Sequence, residues 1–588
     1  MDRHRPAGSN RWYNTGNWAR MDDRDELGAA FASVRGLIVT AAVFSCAVNL
    51  LMLTGPLFML QVYDRVLASG SEATLLALVV LIAGLFAAMG LLNFIRGRIL
   101  ARAGAEIQTR LDPRVFAAVL QRAVAPDERS KPNAALRDLE SIQQFLSSPG
   151  PFAFFDAPWI PVYLGAIFVL HATLGVFATV VAVGMLGIAL LNAWRSAGLE
   201  GEARRAMGSA EKRADSLRRE AETLRALGMG GRTLALWQVE RRKALGAQIA
   251  HSDRTGGYQA LTATLRMFLQ SAVLGLGAWL TIRGETTAGA MIAASILMGR
   301  ALAPVDQMVG HWKGFSRARA ARTNLRAFLK ATPVPRTRLD LPRAVGALRV
   351  EALVAAPPGI RSPTVAGVTL SVDPGEALGV IGESASGKST LARVLAGIWP
   401  PISGEVRLDG AEIGQWDPEV LGAQIGYLPQ EIGLIAGTVS RNIARFHPEP
   451  DAREIVLAAQ RAGAHEMILG LADGYQTELG DDGAGLSGGQ RQRIGMARAL
   501  YGDPVLLILD EPNAHLDAPG EEAVIAAIRG AKSRGRAVVV MAHRPSAIAL
   551  CDTLVMMRAG RVVESGPRDE VLRRVTVGPA GAARGGRA

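Results

Sequence analysis

Gly382-Glu383-Ser384-Ala385-Ser386-Gly387-Lys388-Ser389-Thr390 follows the short apolar run Leu378-Gly379-Val380-Ile381 and precedes a helical stretch, Leu391 to Gly397. A strand, a glycine-rich loop and a helix in that order predict a phosphate-binding loop. Gly382 and Gly387 let the backbone turn tightly and aim its N–H groups inward. Phosphates then sit at a helix N-terminus, where the dipole favours anions. Lys388 would reach the β- and γ-phosphates and Ser389 would ligate Mg²⁺. Glu383, Ser384, Ala385, Ser386 and Thr390 complete the nucleotide-holding set. A chance glycine-rich turn would not carry all these positions with the right flanks.

Further on, Val505-Leu506-Leu507-Ile508-Leu509 is an unbroken apolar run that ends in Asp510-Glu511. Such a run suits a parallel strand buried on both faces. Asp510 would hold Mg²⁺, and Glu511 would orient and deprotonate an attacking water. Paired acids at a strand end are often just solvated; an upstream phosphate loop favours the chemical reading.

About a hundred residues after the phosphate loop comes Leu486-Ser487-Gly488-Gly489-Gln490. Together the two motifs resemble the nucleotide-binding domain of the ABC ATPases. The resemblance implies ATP and Mg²⁺ as ligands. It makes Gln430, in Tyr427-Leu428-Pro429-Gln430, a Q-loop glutamine that contacts the metal and senses the membrane domain. It makes His543, past the strand-like Ala537–Met541, the switch histidine on the γ-phosphate. Asn513-Ala514-His515-Leu516-Asp517 falls at the D-loop, with an unusual but tolerated His515. Ser487 and Gly489, flanked by Gly488 and Gln490, would contact the γ-phosphate of ATP held by a second copy. One set of motifs per chain therefore implies a homodimer with two ATPs at its interface. One departure stands out. Val350–Thr369 contains no Phe, Tyr, Trp or His where the family usually has an adenine-stacking aromatic. Adenine would pack on something else, such as Ile360 or the partner chain.

The remaining sequence is of a different kind. The 588 residues exceed one hydrophobic core and suggest two or three domains. Apolar residues make up 49% and the mean hydropathy is +0.19, as expected of a chain half in a membrane. Six runs approach the roughly 20 apolar residues a membrane crossing needs: Leu37–Leu60, Thr74–Phe94, Phe152–Leu170, Leu174–Trp194, Phe268–Ile282 and Ala288–Val309. Arg96, Arg98, Arg102, Arg110, Arg114 and Arg122 follow the second run. Arg204, Arg205, Lys212, Arg213, Arg218, Arg219 and Arg225 follow the fourth. His171-Ala172-Thr173, between the third and fourth, has no Lys or Arg. The positive-inside rule then places both long loops, the N-terminus and the nucleotide domain in the cytoplasm. Much of the net charge of +12 sits in these loops, against anionic lipid, and nucleic-acid binding is not the reading it favours. Two cysteines, Cys46 and Cys551, support neither a disulfide framework nor a metal site.

The expected organisation is a cytoplasmic tail (1–35), a six-span helical membrane domain (36–330), a Pro/Arg-rich linker (331–345), an α/β nucleotide domain (346–574) and a Gly/Ala/Arg-rich tail (575–588). Helical extensions are expected beyond the bilayer. Short coupling helices are expected near Leu111–Leu120 and Ala226–Leu236. Asp64, Asp156, Arg300 and Asp306 fall in or near spans. Each is either a functional intramembrane charge or a helix leaving the bilayer.

Membrane and ATPase halves fused in this order, with Thr477–Gly483 resembling an x-loop, look like an ABC exporter. Met59-Leu60-Gln61-Val62-Tyr63-Asp64-Arg65-Val66-Leu67, Phe155-Asp156-Ala157-Pro158-Trp159-Ile160-Pro161 and Ser295-Ile296-Leu297-Met298-Gly299-Arg300-Ala301-Leu302-Ala303-Pro304 resemble the type I protein-secretion ATPases. With about 35 residues before the first span, a leader-cleaving protease domain or its inactive relative is not expected. This argues against bacteriocin processing and the haemolysin-type subgroup, and fits the protease- and lipase-exporting subgroup of the metalloprotease and RTX-protein exporters. That resemblance implies an inner-membrane homodimer that drives an unfolded protein substrate outward, with a periplasmic membrane-fusion adaptor and a TolC-like outer-membrane channel. A lipid or small-molecule exporter with the same engine is the alternative. A soluble ABC ATPase acting on DNA or ribosomes conflicts with the six spans. A degenerate regulatory subunit conflicts with the complete motif set.

Overall fold

The computed structural model describes residues 25–124, 132–333, 341–360, 362–480, 483–514, 516–542 and 545–576. Chain contacts divide these into two units: residues 25–119 with 132–333, and residues 120–124 with 341–576.

The first unit is helical. Six segments are long and apolar enough to cross a membrane: Arg35–Ser69, Glu72–Val124, Gly150–Leu170, Ala172–Arg219, Gly230–Ile282 and Ala288–Lys330. The second is a single helix of 53 residues, about 80 Å at 1.5 Å per residue, far more than the ~30 Å of hydrocarbon. This helix is thus much longer than a hydrocarbon crossing needs. Between spans four and five the short helix Ala221–Ala226 is followed by a reversal at Gly228, whose φ of 64° a Cβ would disfavour.

Two apolar cores hold the helices together. One joins Tyr163 and Ile167 of span three to Leu174 and Met185 of span four and to Met298 and Leu302 of span six. The other joins Leu27 and Val34 to Ile107, Leu111, Leu139 and Leu325. This second core changes two expectations. Glu26–Ser33, read as tail, is a helix whose Leu27 and Ala30 are buried. Leu111–Leu120 is not a separate short helix. It lies inside span two, where Leu111, Val115 and Ala118 are buried along one seam.

Span one is interrupted. Arg35–Leu51 and Thr54–Gln61 lead into a π-helical turn, Val62–Val66. Asp64 in that turn accepts hydrogen bonds from Thr287 Oγ1 at 2.7 Å and Gly289 N at 2.9 Å, so it caps the start of span six. Asp156 is buried and pairs with Arg96 at 3.1 Å. Asp306 pairs with Arg266 at 2.9 Å, and Arg300 is exposed. Three of the four ambiguous charges thus have partners.

In the second unit, β1 (Leu348–Ala355), β2 (Val365–Val372), β4 (Ser403–Leu408) and β5 (Ala411–Glu412) form an antiparallel sheet in the order β2-β1-β4-β5. The six-stranded sheet contains β3 (Ala377–Gly382), β6 (Ile425–Leu428), β9 (Leu506–Asp510), β10 (Ala537–Met541), β11 (Thr553–Arg558) and β12 (Arg561–Pro567), in the order β12-β11-β3-β10-β9-β6. The minor strands β7 (Gly437–Thr438) and β8 (Glu478–Leu479) pair with each other. Neighbours from β11 to β6 are parallel, and every residue of β9 and β10 is buried. Such strands need apolar side chains on both faces, which explains their unbroken Leu, Ile and Val runs. Their C-terminal ends emerge along one edge, where open α/β sheets place their ligands.

The linker residues 334–340 and the tail residues 577–588 lie outside the described residues, as do residues 1–24.

Candidate functional site

The site is built where β3, β6 and β9 end. β3 runs into the phosphate loop, whose helix is Lys388–Leu395. Gly387 has φ 99°, and a Cβ there would lie 2.6 Å from the Thr364 carbonyl, so only glycine fits. Ala385 takes the left-handed conformation too, at φ 64°. The loop folds around its own lysine. Lys388 Nζ donates to the carbonyls of Gly382 and Glu383, each at 2.8 Å, and to Ser386 Oγ at 3.4 Å. Burial lowers its pKa, opposed by the carboxylates of Glu511 and Asp510, so a cation is held close to two acids. Thr390 points elsewhere: Thr364 Oγ1 donates to its hydroxyl at 3.2 Å, tying the helix to the β1–β2 connection. Glu383 is exposed, and Ser384 and Ala385 form the outer lip of the loop.

Asp510 closes β9 with 1% exposure. Burial raises its pKa above the ordinary carboxylate value, against the pull of Ser389, Arg393 and Lys388 and with the help of Glu511. Apart from the Ser389 hydroxyl, no donor among the described residues reaches either carboxylate oxygen. A buried carboxylate with so few donors is costly unless a cation completes it. With the Ser389 hydroxyl nearby, the donor set is all oxygen, which suits Mg²⁺.

Glu511 adopts φ 51°, a conformation that costs a non-glycine residue about 1–3 kcal/mol and recurs at functional sites. Its backbone N–H donates to Met541 O at 2.9 Å, pinning it to the end of β10. Its carboxylate accepts from Gln430 Nε2 at 3.0 Å. Gln430 lies two residues beyond the end of β6, the strand beside β9. The structure thus brings Lys388, Asp510, Glu511 and Gln430 to one edge. His543 lies outside the described residues, as do His515 of the D-loop and Asp481-Asp482 of the x-loop.

The signature segment begins the helix Gly488–Leu500. Ser487 is its N-cap in a capping box: its hydroxyl accepts from Gln490 N at 3.2 Å, and Gln490 Oε1 accepts from Ser487 N at 2.9 Å. Gly488 and Gly489 form the first turn, where N–H groups point out of the helix end. No hydrogen bond joins Ser487–Gln490 to the phosphate loop among the described residues. Two contacts had no signal in the sequence. Gln492, buried in the signature helix, donates to the Pro512 carbonyl just past Glu511. Arg498 donates to Gly433 O at 3.0 Å, three residues past Gln430. Ile360 is 51% exposed, on the turn closed by Ile360 N to Pro357 O.

A phosphate loop, an acid pair at the end of a parallel strand and a capped signature helix together define a P-loop nucleoside triphosphatase. Residues 365–514 match the ABC transporter family model, and residues 38–304 match that of the ABC transporter transmembrane region. The chain is 44% identical to the type I secretion system ATP-binding protein PrsD of Rhizobium meliloti, over 93% of this chain and 94% of that protein. It is 31% identical to the cyclolysin secretion/processing ATP-binding protein CyaB of Bordetella pertussis, over 92% of this chain and 77% of that protein. In fold it is similar to a bacterial Atm1-family ABC exporter with ATP bound, with a TM-score of 0.77 at 24% identity, covering 95% and 99% of the two chains. The chain belongs to the ABC transporters, in the group of type I secretion ATP-binding proteins. It is a multi-pass membrane protein whose ATP hydrolysis is coupled to export.

Proposed function

We propose that the chain works as a homodimer in the bacterial inner membrane, with its ATPase domain in the cytoplasm, and drives an unfolded protein of the RTX or metalloprotease kind outward. One observation carries the hydrolytic part: Glu511 is held in left-handed backbone against Gln430, beside the buried Asp510, where the phosphate loop opens. Lys388 binds the β- and γ-phosphates of ATP, and the loop amides from Gly382 to Thr390 orient them. Glu511 accepts a proton from water as the water oxygen bonds to the γ-phosphorus. The bond from that phosphorus to the β-phosphate oxygen breaks, leaving ADP and phosphate. His543 contributes a contact to the γ-phosphate. Ser389, Asp510 and Gln430 would hold Mg²⁺, which when bound neutralises phosphate charge. The helix end at Ser487-Gly488-Gly489-Gln490 faces the γ-phosphate on the partner copy, so two ATPs close the dimer.

The protein-secretion part rests on likeness to PrsD along nearly the whole of both chains. An adaptor in the periplasm and a TolC-like outer-membrane channel complete the path. The arginine-rich cytoplasmic extensions lie against anionic lipid. The test is mass spectrometry of the culture medium from the native host, comparing the parent with Glu511→Gln. One or a few Gly/Asp-repeat proteins should vanish from the medium and accumulate in the cells. An unchanged secreted set would overturn protein secretion and favour a lipid or small-molecule substrate.

A further inference from the structure

The short helix Val439–Ile443 is followed by two successive non-glycine residues in left-handed backbone, Arg445 at φ 54° and Phe446 at φ 58°. L-residues avoid that region, so something holds the turn. The Arg445 side chain shows what. Its Nε donates to the Arg498 carbonyl and its Nη2 to the Ala499 carbonyl, both at 3.0 Å, while Nη1 donates to Gly422 O at 2.5 Å. Arg498 and Ala499 belong to the last turn of the signature helix, which ends at Leu500. The carbonyls of a last turn lack intrahelical partners and carry the negative end of the dipole. One planar guanidinium therefore caps that helix end and fastens it to the short helix Pro418–Gln424, which leads into β6.

Two arginines meet here. None of the described ion pairs includes Arg445 or Arg498. Burial lowers the Arg445 pKa to about 10, and the neighbouring Arg498 charge adds to the effect. Like charges in a partly dry site oppose each other. Among the described residues the side-chain hydrogen bonds of both arginines go to main-chain carbonyls, which is not how an ordinary surface arginine is used. The rest of the helix is fitted as closely. A Cβ on Gly495 would come within 2.8 Å of Ile432 Cγ2, and Arg498 reaches Gly433 O. The helix is thus seated against the segment that follows Gln430.

We propose that Arg445 is a positioning residue for ATP hydrolysis, fixing the C-terminal end of the signature helix and so the aim of Ser487 at the other end. This rests on the reading that Ser487 meets the γ-phosphate held by the partner copy. The leverage is large. Thirteen residues make a bar of about 20 Å, so a tilt of about 3° moves its far end by about 1 Å. A misplacement of that size can cost about a hundredfold in rate.

The test uses purified full-length protein and the variants Arg445→Met, Arg445→Lys, Ser487→Ala and Arg445→Met with Ser487→Ala. Steady-state ATPase kinetics, affinity for a fluorescent ATP analogue and thermal stability are measured on each. Arg445→Met should lower kcat by roughly 10- to 100-fold with analogue affinity within about twofold of the parent, and the double variant should be no slower than Ser487→Ala. Arg445→Lys should recover part of the rate. Losses that multiply in the double variant would overturn the positioning role, as would affinity and stability falling in step with kcat. If Arg445→Met does not fold, Arg445→Lys alone and combined with Ser487→Ala gives the same comparison. A Ser487→Ala variant with parental kcat would overturn the signature reading itself, and the proposal with it.

Discussion

Glu511 shows how much of the site is local geometry. Its left-handed backbone turns the carboxylate out of the line of β9, and Gln430 then holds it at 3.0 Å. Glu511→Gln keeps the size of the side chain and removes the basicity. The expected outcome is a kcat lower by about 10²–10⁴ with ATP binding retained, checked by ATPase turnover against equilibrium binding of labelled ATP. A second residue argues through charge. Asp503, also left-handed at φ 52°, pairs with Arg461 at 3.4 Å, Arg534 at 3.0 Å and Arg536 at 2.6 Å. Burial alone would raise its pKa, but Arg536 and Arg534 outweigh it and hold the carboxyl below the ordinary value. A depressed folded-state pKa contributes stability that is complete above the unfolded value of ~3.9 and is lost as pH falls through the folded one. Asp503→Asn should therefore cost about 1–3 kcal/mol at pH 7. The gap between the melting curves of variant and parent should begin to close as pH falls below about 4 and vanish only below the depressed folded pKa, and a gap independent of pH would contradict the charge argument.

Among elements, those whose job is imposed by chemistry were legible in the sequence. The phosphate loop needs Gly387, because backbone approaches where a Cβ would stand. β9 needs an apolar run because both its faces are buried. The links between elements were not legible. Gln492 to Pro512 and Arg445 to Arg498 join residues far apart in sequence, and nothing in either local stretch announces the partner. The Glu26–Ser33 helix was missed for another reason. Its apolar spacing (Leu27, Ala30, Val34) was available, but the arginine-rich segment before it outweighed three positions. The membrane spans raise the same issue at Arg96 and Asp156. Both are 5% exposed. Arg96 Nη1 also donates to Ser45 Oγ at 3.0 Å, Asn49 Nδ2 donates to Asp156 Oδ1 at 2.7 Å, and Tyr163 Oη donates to Asn49 Oδ1 at 2.9 Å. This network ties spans one, two and three. Breaking one side of a buried pair leaves an uncompensated charge, a loss of about 3–5 kcal/mol, whereas replacing both sides by apolar groups is often nearly neutral. Asp156→Leu should sharply reduce the folded fraction recovered in detergent, and adding Arg96→Met should restore much of it. No recovery in the double variant would mean that Asn49 and Ser45 need the charges as partners.

At the scale of the whole molecule, charge asymmetry and helix length give one topology. The long, arginine-rich extensions are expected on one side of the bilayer and the turn at His171 between spans three and four on the other. A bilayer enforces this by opposing transfer of Lys and Arg in short loops. The two sides can be told apart with single cysteines. Thr173 and Glu222 are both exposed, one beside the His171 turn and one in the short helix before Gly228. The native thiols do not confuse the experiment if Cys46, which is exposed within span one, is first changed to Ser. Cys551 is buried, and burial pushes its thiol up to about 12, so it holds almost no thiolate at neutral pH and reacts slowly. In spheroplasts, a membrane-impermeant maleimide should label Thr173→Cys at once and Glu222→Cys only after lysis. The reverse pattern would put the nucleotide domain on the wrong side of the membrane for cytoplasmic ATP, and with it would fall the whole account of export driven from within.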